Sequence, residues 1–200
     1  MLILELFFKF KIIVFAKGKY LRNAQKRKQY RLPNFDYASN GFYFITICTF
    51  NREYFFGKIV DSEMFLSNIG KFVKNNILQF CPIDDIENPY KNNPHSISKA
   101  DTIFGITEWE ILPDHIHLIV EIINNIKREF IPIDGLAPLS KGSVSLFINQ
   151  FKGYITKLCK KNGIDNFKWQ SRFNDRIIRD QKEYENIAAY INSNVVNWLP

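Results

Sequence analysis

Apolar residues along this chain recur at two spacings, and their succession predicts a mixed α and β domain. From Phe42 to Phe50 the residues are largely aromatic or β-branched, the composition of a central strand. A turn at Asn51-Arg52-Glu53 follows. Between 63 and 80, Met64, Phe65, Ile69, Phe72, Val73, Ile77 and Phe80 stand at helical spacing, and Cys81-Pro82 closes that helix. Residues 102–111 and 115–123 predict two strands joined as a hairpin across Pro113-Asp114. Ser143 is placed to cap a helix through about Lys161, with Leu146, Phe147, Phe151, Ile155 and Leu158 inward and Asn162-Gly163 ending it. Asp180 then caps a last helix to roughly Asn194, whose apolar stripe is Tyr184, Ile187, Ala188 and Ile191.

The remaining stretches predict loops: 82–101 is polar with Pro, Asn and Ser, and 124–142 carries Pro132, Gly135, Pro138 and Gly142. No internal repeat or low-complexity linker divides the chain. One domain over 41–200 is expected, preceded at 1–40 by an apolar segment and a basic arm. The apolar segment, Met1 to Ala16, is broken by Glu5, Lys9 and Lys11, which disfavours both a secretory signal and a membrane span.

Charge changes this picture in one respect. The chain carries a net +7, concentrated in two blocks: residues 1–35 hold nine Lys/Arg against one Glu, and residues 141–182 hold ten against three Asp. Such blocks around an acidic middle suit a polyanion partner. The exposed side of the helix at 143–161 supplies Lys152, Lys157, Lys160 and Lys161, and the stretch after it supplies Arg172, Arg176 and Arg179. Three cysteines without paired spacing suggest neither a disulfide framework nor a thiolate zinc site, so a reducing, cytoplasmic setting is expected.

The candidate chemistry is narrow. No phosphate-binding glycine loop, dinucleotide fingerprint or Ser-His-Asp motif occurs. His115 and His117, one residue apart in a predicted strand, share a face and can hold one divalent metal together. Two ligands leave a coordination sphere open, and the amide oxygen of Asn194 suits Mg²⁺ or Mn²⁺ as a third. Tyr190 and Asn194 are four residues apart, hence on one side of a helix. A phenol with an ordinary pKa of about 10 attacks a phosphodiester only with help from a metal or base. Tyr184 is the chief rival nucleophile in this helix, and Tyr154 a weaker one. Glu108, Glu110, Asp114 and Glu121 surround the histidine pair in sequence.

Taken in order, these segments resemble the single-tyrosine HUH transposases of the IS200-like type, most closely the REP-associated tyrosine transposase branch. The resemblance rests on Tyr43 to Thr49, Asn51-Arg52-Glu53, Phe56-Gly57, Leu112-Pro113-Asp114-His115-Ile116-His117, Phe151-Lys152, Trp169-Gln170, Phe173, Ile177-Ile178-Arg179-Asp180, Tyr190-Ile191 and Asn194, and spans about residues 41–198. It departs at Val195, where the family often has proline, and at Asn174, where an aromatic or His is common.

The resemblance implies an α+β fold, a ferredoxin-like antiparallel sheet with packed helices, with 41–200 as the catalytic domain. It implies Tyr190 as nucleophile on single-stranded, hairpin-bearing DNA, forming a 5′-phosphotyrosine link and a free 3′-hydroxyl. His115, His117 and Asn194 would hold Mg²⁺ or Mn²⁺, and Lys152, Lys157, Lys160, Arg172, Arg176 and Arg179 would meet DNA. Monomer and homodimer are both compatible with it, and no membrane partner is expected. A catalytically silent DNA-binding relative is the alternative; a replication initiator or relaxase would need further helicase or primase sequence.

Overall fold

Strand alternation divides the central sheet into two faces of different chemistry. In the computed structural model, which describes Leu32 and residues 35–81, 102–124 and 142–198, strand β1 (Gly41–Cys48) sends Tyr43, Ile45 and Ile47 to one face. Phe42, Phe44 and Thr46 project from the other. The apolar N-terminal segment, nearly all of the basic arm, and the predicted loops at 82–101 and 125–141 lie outside the described residues.

Strands β4 (Thr102–Leu112) and β5 (His115–Asn124) form the expected hairpin across Pro113-Asp114, and β6 (Asn174–Ile178) completes the sheet. The order is β4-β5-β1-β6, with every neighbouring pair antiparallel. A separate hairpin pairs β2 (Gly57–Val60) with β3 (Glu63–Leu66). The helices are α1 (Asn68–Leu78), α2 (Val144–Lys161) and α3 (Gln181–Ser193). Apart from the small hairpin, the chain runs β1-α1-β4-β5-α2-β6. Antiparallel β5 lies between the mutually parallel β1 and β4, and β1 lies between β5 and β6. These two interlocked split units make the α+β ferredoxin-like sheet.

The first face is apolar throughout. Tyr43, Ile45, Ile47, Ile116, Leu118 and Val120 meet Ile69, Val73 and Ile77 of α1 and Phe147, Phe151 and Ile155 of α2. Each such side chain contributes about 1.5–3 kcal/mol by leaving water, which makes this layer the main source of stability. On the second face a smaller cluster forms where Ile187 and Ile191 of α3 pack on Ile119 and Ile178, flanked by Phe42, Phe44, Tyr184 and Ala188.

Caps set the helix ends. The Ser67 hydroxyl accepts from Gly70 N at 3.1 Å, Ser143 from Leu146 N at 3.3 Å, and the Asp180 carboxylate from Glu183 N at 2.8 Å. Gly163, at φ +73°, lets the chain leave α2 in a left-handed conformation that favours glycine.

Two sequence expectations need correction. Met64 and Phe65 belong to β3, not to a helix, because Ser67 caps α1 only after them. Residues Met64 and Leu66 are half-buried while Phe65 is exposed, an alternation of period two rather than 3.6. The helix also ends at Leu78 rather than at Cys81, and Gly57–Val60 is a strand that the spacing does not predict. Among the described residues, no helix is long and apolar enough to cross a membrane.

Candidate active site

β5 is a central strand, and its alternation places Ile116, Leu118 and Val120 in the apolar core. His115 and His117 therefore point to the α3 side. Cross-strand register puts Thr46 beside His117 and Cys48 beside His115. Both imidazoles are buried, at 8 % and 4 % exposure, so their polar atoms need partners within the protein.

Those partners hold the outer nitrogens. Asp114 Oδ1 lies 2.6 Å from His115 Nδ1, and since an ionised carboxylate only accepts, that nitrogen carries the proton. Thr46 Oγ1 lies 2.9 Å from His117 Nδ1. The inner nitrogens, His115 Nε2 and His117 Nε2, face each other at 3.1 Å. Two arrangements satisfy this geometry. In one, Thr46 donates to His117, and His117 Nε2–H donates to His115 Nε2. In the other, Thr46 accepts from His117 Nδ1–H, and both Nε2 atoms are unprotonated acceptors facing each other. Rotation of the Thr46 hydroxyl with a tautomer change in His117 interconverts them.

The second arrangement suits a cation. Two nitrogens at right angles, each about 2.1 Å from one Mg²⁺-sized ion, stand roughly 3.0 Å apart. Burial pushes the pKa of His115 down, and pushes that of His117 well down, with the charges of His115 and Arg52 adding to the latter. Both rings are accordingly neutral at neutral pH, the form that offers a lone pair to a metal. Among the described residues, no three His, Cys, Asp or Glu side chains come together as a metal-binding group.

Asp114 is itself held. Arg52 Nε lies 2.7 Å from Asp114 Oδ2, and the same guanidinium reaches Cys48 Sγ at 2.8 Å and His115 Nδ1 at 3.3 Å. Arg52 can reach back because Asn51 and Arg52 both have left-handed φ, at 52° and 60°, within the short turn Phe50–Arg52. The Pro113-Asp114 turn is pinned in the same place, with Thr49 N donating to Asp114 O at 2.9 Å and Phe56 N to Pro113 O at 3.0 Å. Asp114, held by Arg52, orients the His115 imidazole and opposes the lowering of its pKa by burial, to which the charge of Arg52 adds.

α3 brings the tyrosine. With Ile187 and Ile191 inward, Tyr190 lies at the margin of the buried stripe. Its ring meets His117 edge to face at 5.4 Å and Phe44 at 6.1 Å. Burial raises its phenol pKa, opposed by a hydrogen bond from Asn194 and the positive charge of Arg52. Asn194 ends α3 and donates Nδ2 to the Tyr190 carbonyl at 2.6 Å. Tyr184 instead packs on Phe42 at 5.1 Å, further along β1 from the histidine pair, and Tyr154 is on α2 in the opposite layer.

The basic residues do not form one patch. Arg176 pairs in register with Phe44, on the histidine face, and bonds Glu183; the backbone N–H of Arg179 donates to the same carboxylate at 2.9 Å. Arg172 is exposed on the connection before β6. Lys157 and Lys160 are exposed on α2, the helix covering the other face. Lys152 is half-buried, donates Nζ to Gln170 O at 2.6 Å, and has its pKa lowered by that burial.

Sequence spacing alone assigns no role to Thr46, Arg52 or Trp198, whose ring lies 5.9 Å from His115. Asp114 had one local signal, its place beside His115 in a hairpin turn. The other three depend on register and on backbone turns.

No protein-family model matches the chain. An uncharacterized protein from Haemophilus influenzae is 33 % identical over 186 residues, covering 90 % of this chain and 94 % of the relative. The chain belongs to the same family as that Haemophilus protein. Among solved structures, a REP-associated tyrosine transposase bound to a REP hairpin is similar at 19 % identity, with 88 % of this chain and 74 % of that one covered and a TM-score of 0.49.

Proposed function

We propose that this chain is a metal-dependent DNA strand transferase of the REP-associated tyrosine transposase kind, acting on single-stranded DNA next to a hairpin. The carrying observation is the convergence of Tyr190 and the two neutral imidazoles on one face of the sheet, with the His117 and Tyr190 rings 5.4 Å apart. The ordered motifs shared with the IS200-like family support the same reading and supply its substrate class.

In this reading His115 Nε2, His117 Nε2 and the amide oxygen of Asn194 would hold Mg²⁺ or Mn²⁺. The ion would polarise the scissile phosphate and stabilise charge on the attacking oxygen. Tyr190 supplies the nucleophile: its phenol oxygen gives up its proton to water and bonds to phosphorus, the bond from phosphorus to the 3′-oxygen breaks, and that oxygen takes up a proton from water, so the strand leaves with a free 3′-hydroxyl. Burial raises the Tyr190 pKa, so the phenol rests protonated at neutral pH. Asp114 and Arg52 keep His115 in the tautomer with Nε2 unprotonated. Arg176, on the same face, is placed to meet phosphate oxygens, while Lys157 and Lys160 would contact DNA that reaches the far layer.

Incubation of the protein with Mn²⁺ and hairpin oligonucleotides from DNA flanking its gene tests this. The expected result is a covalent adduct on a denaturing gel, with a nucleotide mapped to Tyr190 by mass spectrometry. A nucleotide on any other tyrosine overturns the assignment. DNA binding without an adduct on any flanking hairpin favours the catalytically silent relative, for which the metal-free hydrogen bond between the two histidines would be the working state.

A further inference from the structure

Beside the histidine pair lies a cleft of about 260 Å³ between the β2–β3 hairpin and the chain after α3. Its aromatic walls are Tyr54 and Trp198, whose rings meet nearly perpendicularly at 6.2 Å with an interplanar angle of 68°. Ile59 and Val195 make it apolar within, and Lys58 and Asp61 bring opposite charges to its lining. Asp61 sits with Ser62 in a two-residue hairpin turn where both have left-handed φ, at 50° and 62°. The Trp198 ring is shared: one neighbour is Tyr54 in the cleft, and the other is His115, at 5.9 Å.

An aromatic pair in edge-to-face contact, with an open ring face toward a cleft that also holds a cation and an anion, complements a nucleobase on its sugar–phosphate. Bases stack on aromatic rings through faces that every base has, a lysine meets the phosphate, and an ionised carboxylate accepts N–H groups from a base edge. A duplex cannot use such a slot, because its bases are already stacked and paired. The shared Trp198 ring puts the cleft next to the histidine pair.

We propose that this cleft binds one unstacked nucleobase of a single strand, the base flanking the phosphate presented to Tyr190. Its chemistry is independent of the strand-transfer reading; only its placement next to the scissile phosphate rests on that reading.

The test uses the full chain, fluorescein-labelled oligodeoxyadenylate, an abasic strand of the same length, and a duplex. Anisotropy titrations compare the parent with Tyr54→Ala, Trp198→Ala and Trp198→Phe, and thermal melting verifies the fold of each. Tyr54 is 55 % exposed and touches neither histidine, so its variant separates the cleft from the metal pair. The expected result is roughly tenfold weaker single-strand binding for each alanine variant, with a smaller loss for Trp198→Phe. Affinity for the abasic strand and for the duplex should stay within about twofold of the parent. Unchanged oligodeoxyadenylate binding in both alanine variants overturns the proposal, as does an equal loss on the abasic strand. Base-dependent binding in a protein that forms no covalent adduct would leave the cleft standing and remove the strand-transfer reading alone.

Discussion

The two faces of the sheet are made by the same strands, yet they carry different duties. Toward α1 and α2, β1 and β5 present an unbroken apolar row from Tyr43 to Ile47 and from Ile116 to Ile122. Toward α3 the same strands interrupt their apolar positions with Thr46, His115 and His117. Burying those groups costs free energy unless each finds a partner; Asp114 and Thr46 supply the partners, and Arg52 holds Asp114 in place. Stability is thus concentrated on one face, and the proposed reactivity on the other. The small apolar cluster of α3 is just large enough to seat the helix that carries Tyr190.

The sharpest way to break this contrast is at the nucleophile. Tyr190→Phe deletes one hydroxyl, so adduct formation should fall to background on a denaturing gel while the melting temperature and DNA affinity stay near the parent values. Tyr184→Phe, packed on Phe42, should retain the adduct. A reversal between these two would show that reactivity lies elsewhere on α3.

Next, adjacent residues of β5 should separate the faces. Leu118→Ala opens a cavity in the apolar layer and should cost about 2–5 kcal/mol in denaturant unfolding, while the folded fraction keeps its cleavage rate. His117→Asn should abolish cleavage yet shift stability by only about 1 kcal/mol, since an amide can still bond Thr46. Equal loss of both properties in both variants would erase the division.

A more modest effect is expected one step out. Asp114→Asn keeps the shape but lets the side-chain amide compete with the His115 proton, and should weaken Mn²⁺ binding by about 10–100-fold in calorimetry.

The smallest effect is on pH dependence. Burial holds both histidines below their unfolded pKa of about 6.5. The unfolded chain therefore binds more protons below that pH, and stability is level above it and declines as pH falls. Each histidine adds up to about 1.4 kcal/mol per pH unit to the slope. Melting curves from pH 8 to 5 should show this decline, reduced in His117→Asn. An unchanged slope would mean that other groups set it.

Much of this arrangement follows from local spacing, and what does not has identifiable reasons. The hairpin at β4–β5, the caps Ser143 and Asp180, and the shared face of His115 and His117 rest on neighbours along the chain. The β2–β3 hairpin escapes because its strands are four residues each and its apolar residues run into those of α1, which hides a period of two beside one of 3.6. Roles for Thr46 and Arg52 depend on register and on a left-handed turn at Asn51 and Arg52 that neither residue type demands. The scatter of Lys157, Lys160 and Arg176 over two layers is likewise a product of topology; along the sequence they form one basic block.

The hydrogen bond between Thr46 and His117 joins residues 71 positions apart. β1 must wait for β5, and the loop between them must close, before either imidazole has its surroundings. Such long-range pairing is slow to form compared with a helix, and no short fragment of the unfolded chain can imitate it. A cation held by both histidines in the tautomers that Asp114 and Thr46 set, together with Asn194, would bind the finished sheet more tightly than the two local imidazoles of the unfolded chain. It would stabilise the native state by mass action, about 2.7 kcal/mol at a hundred times its dissociation constant. Assembly of the sheet and acquisition of the ion would then be thermodynamically linked, each favouring the other.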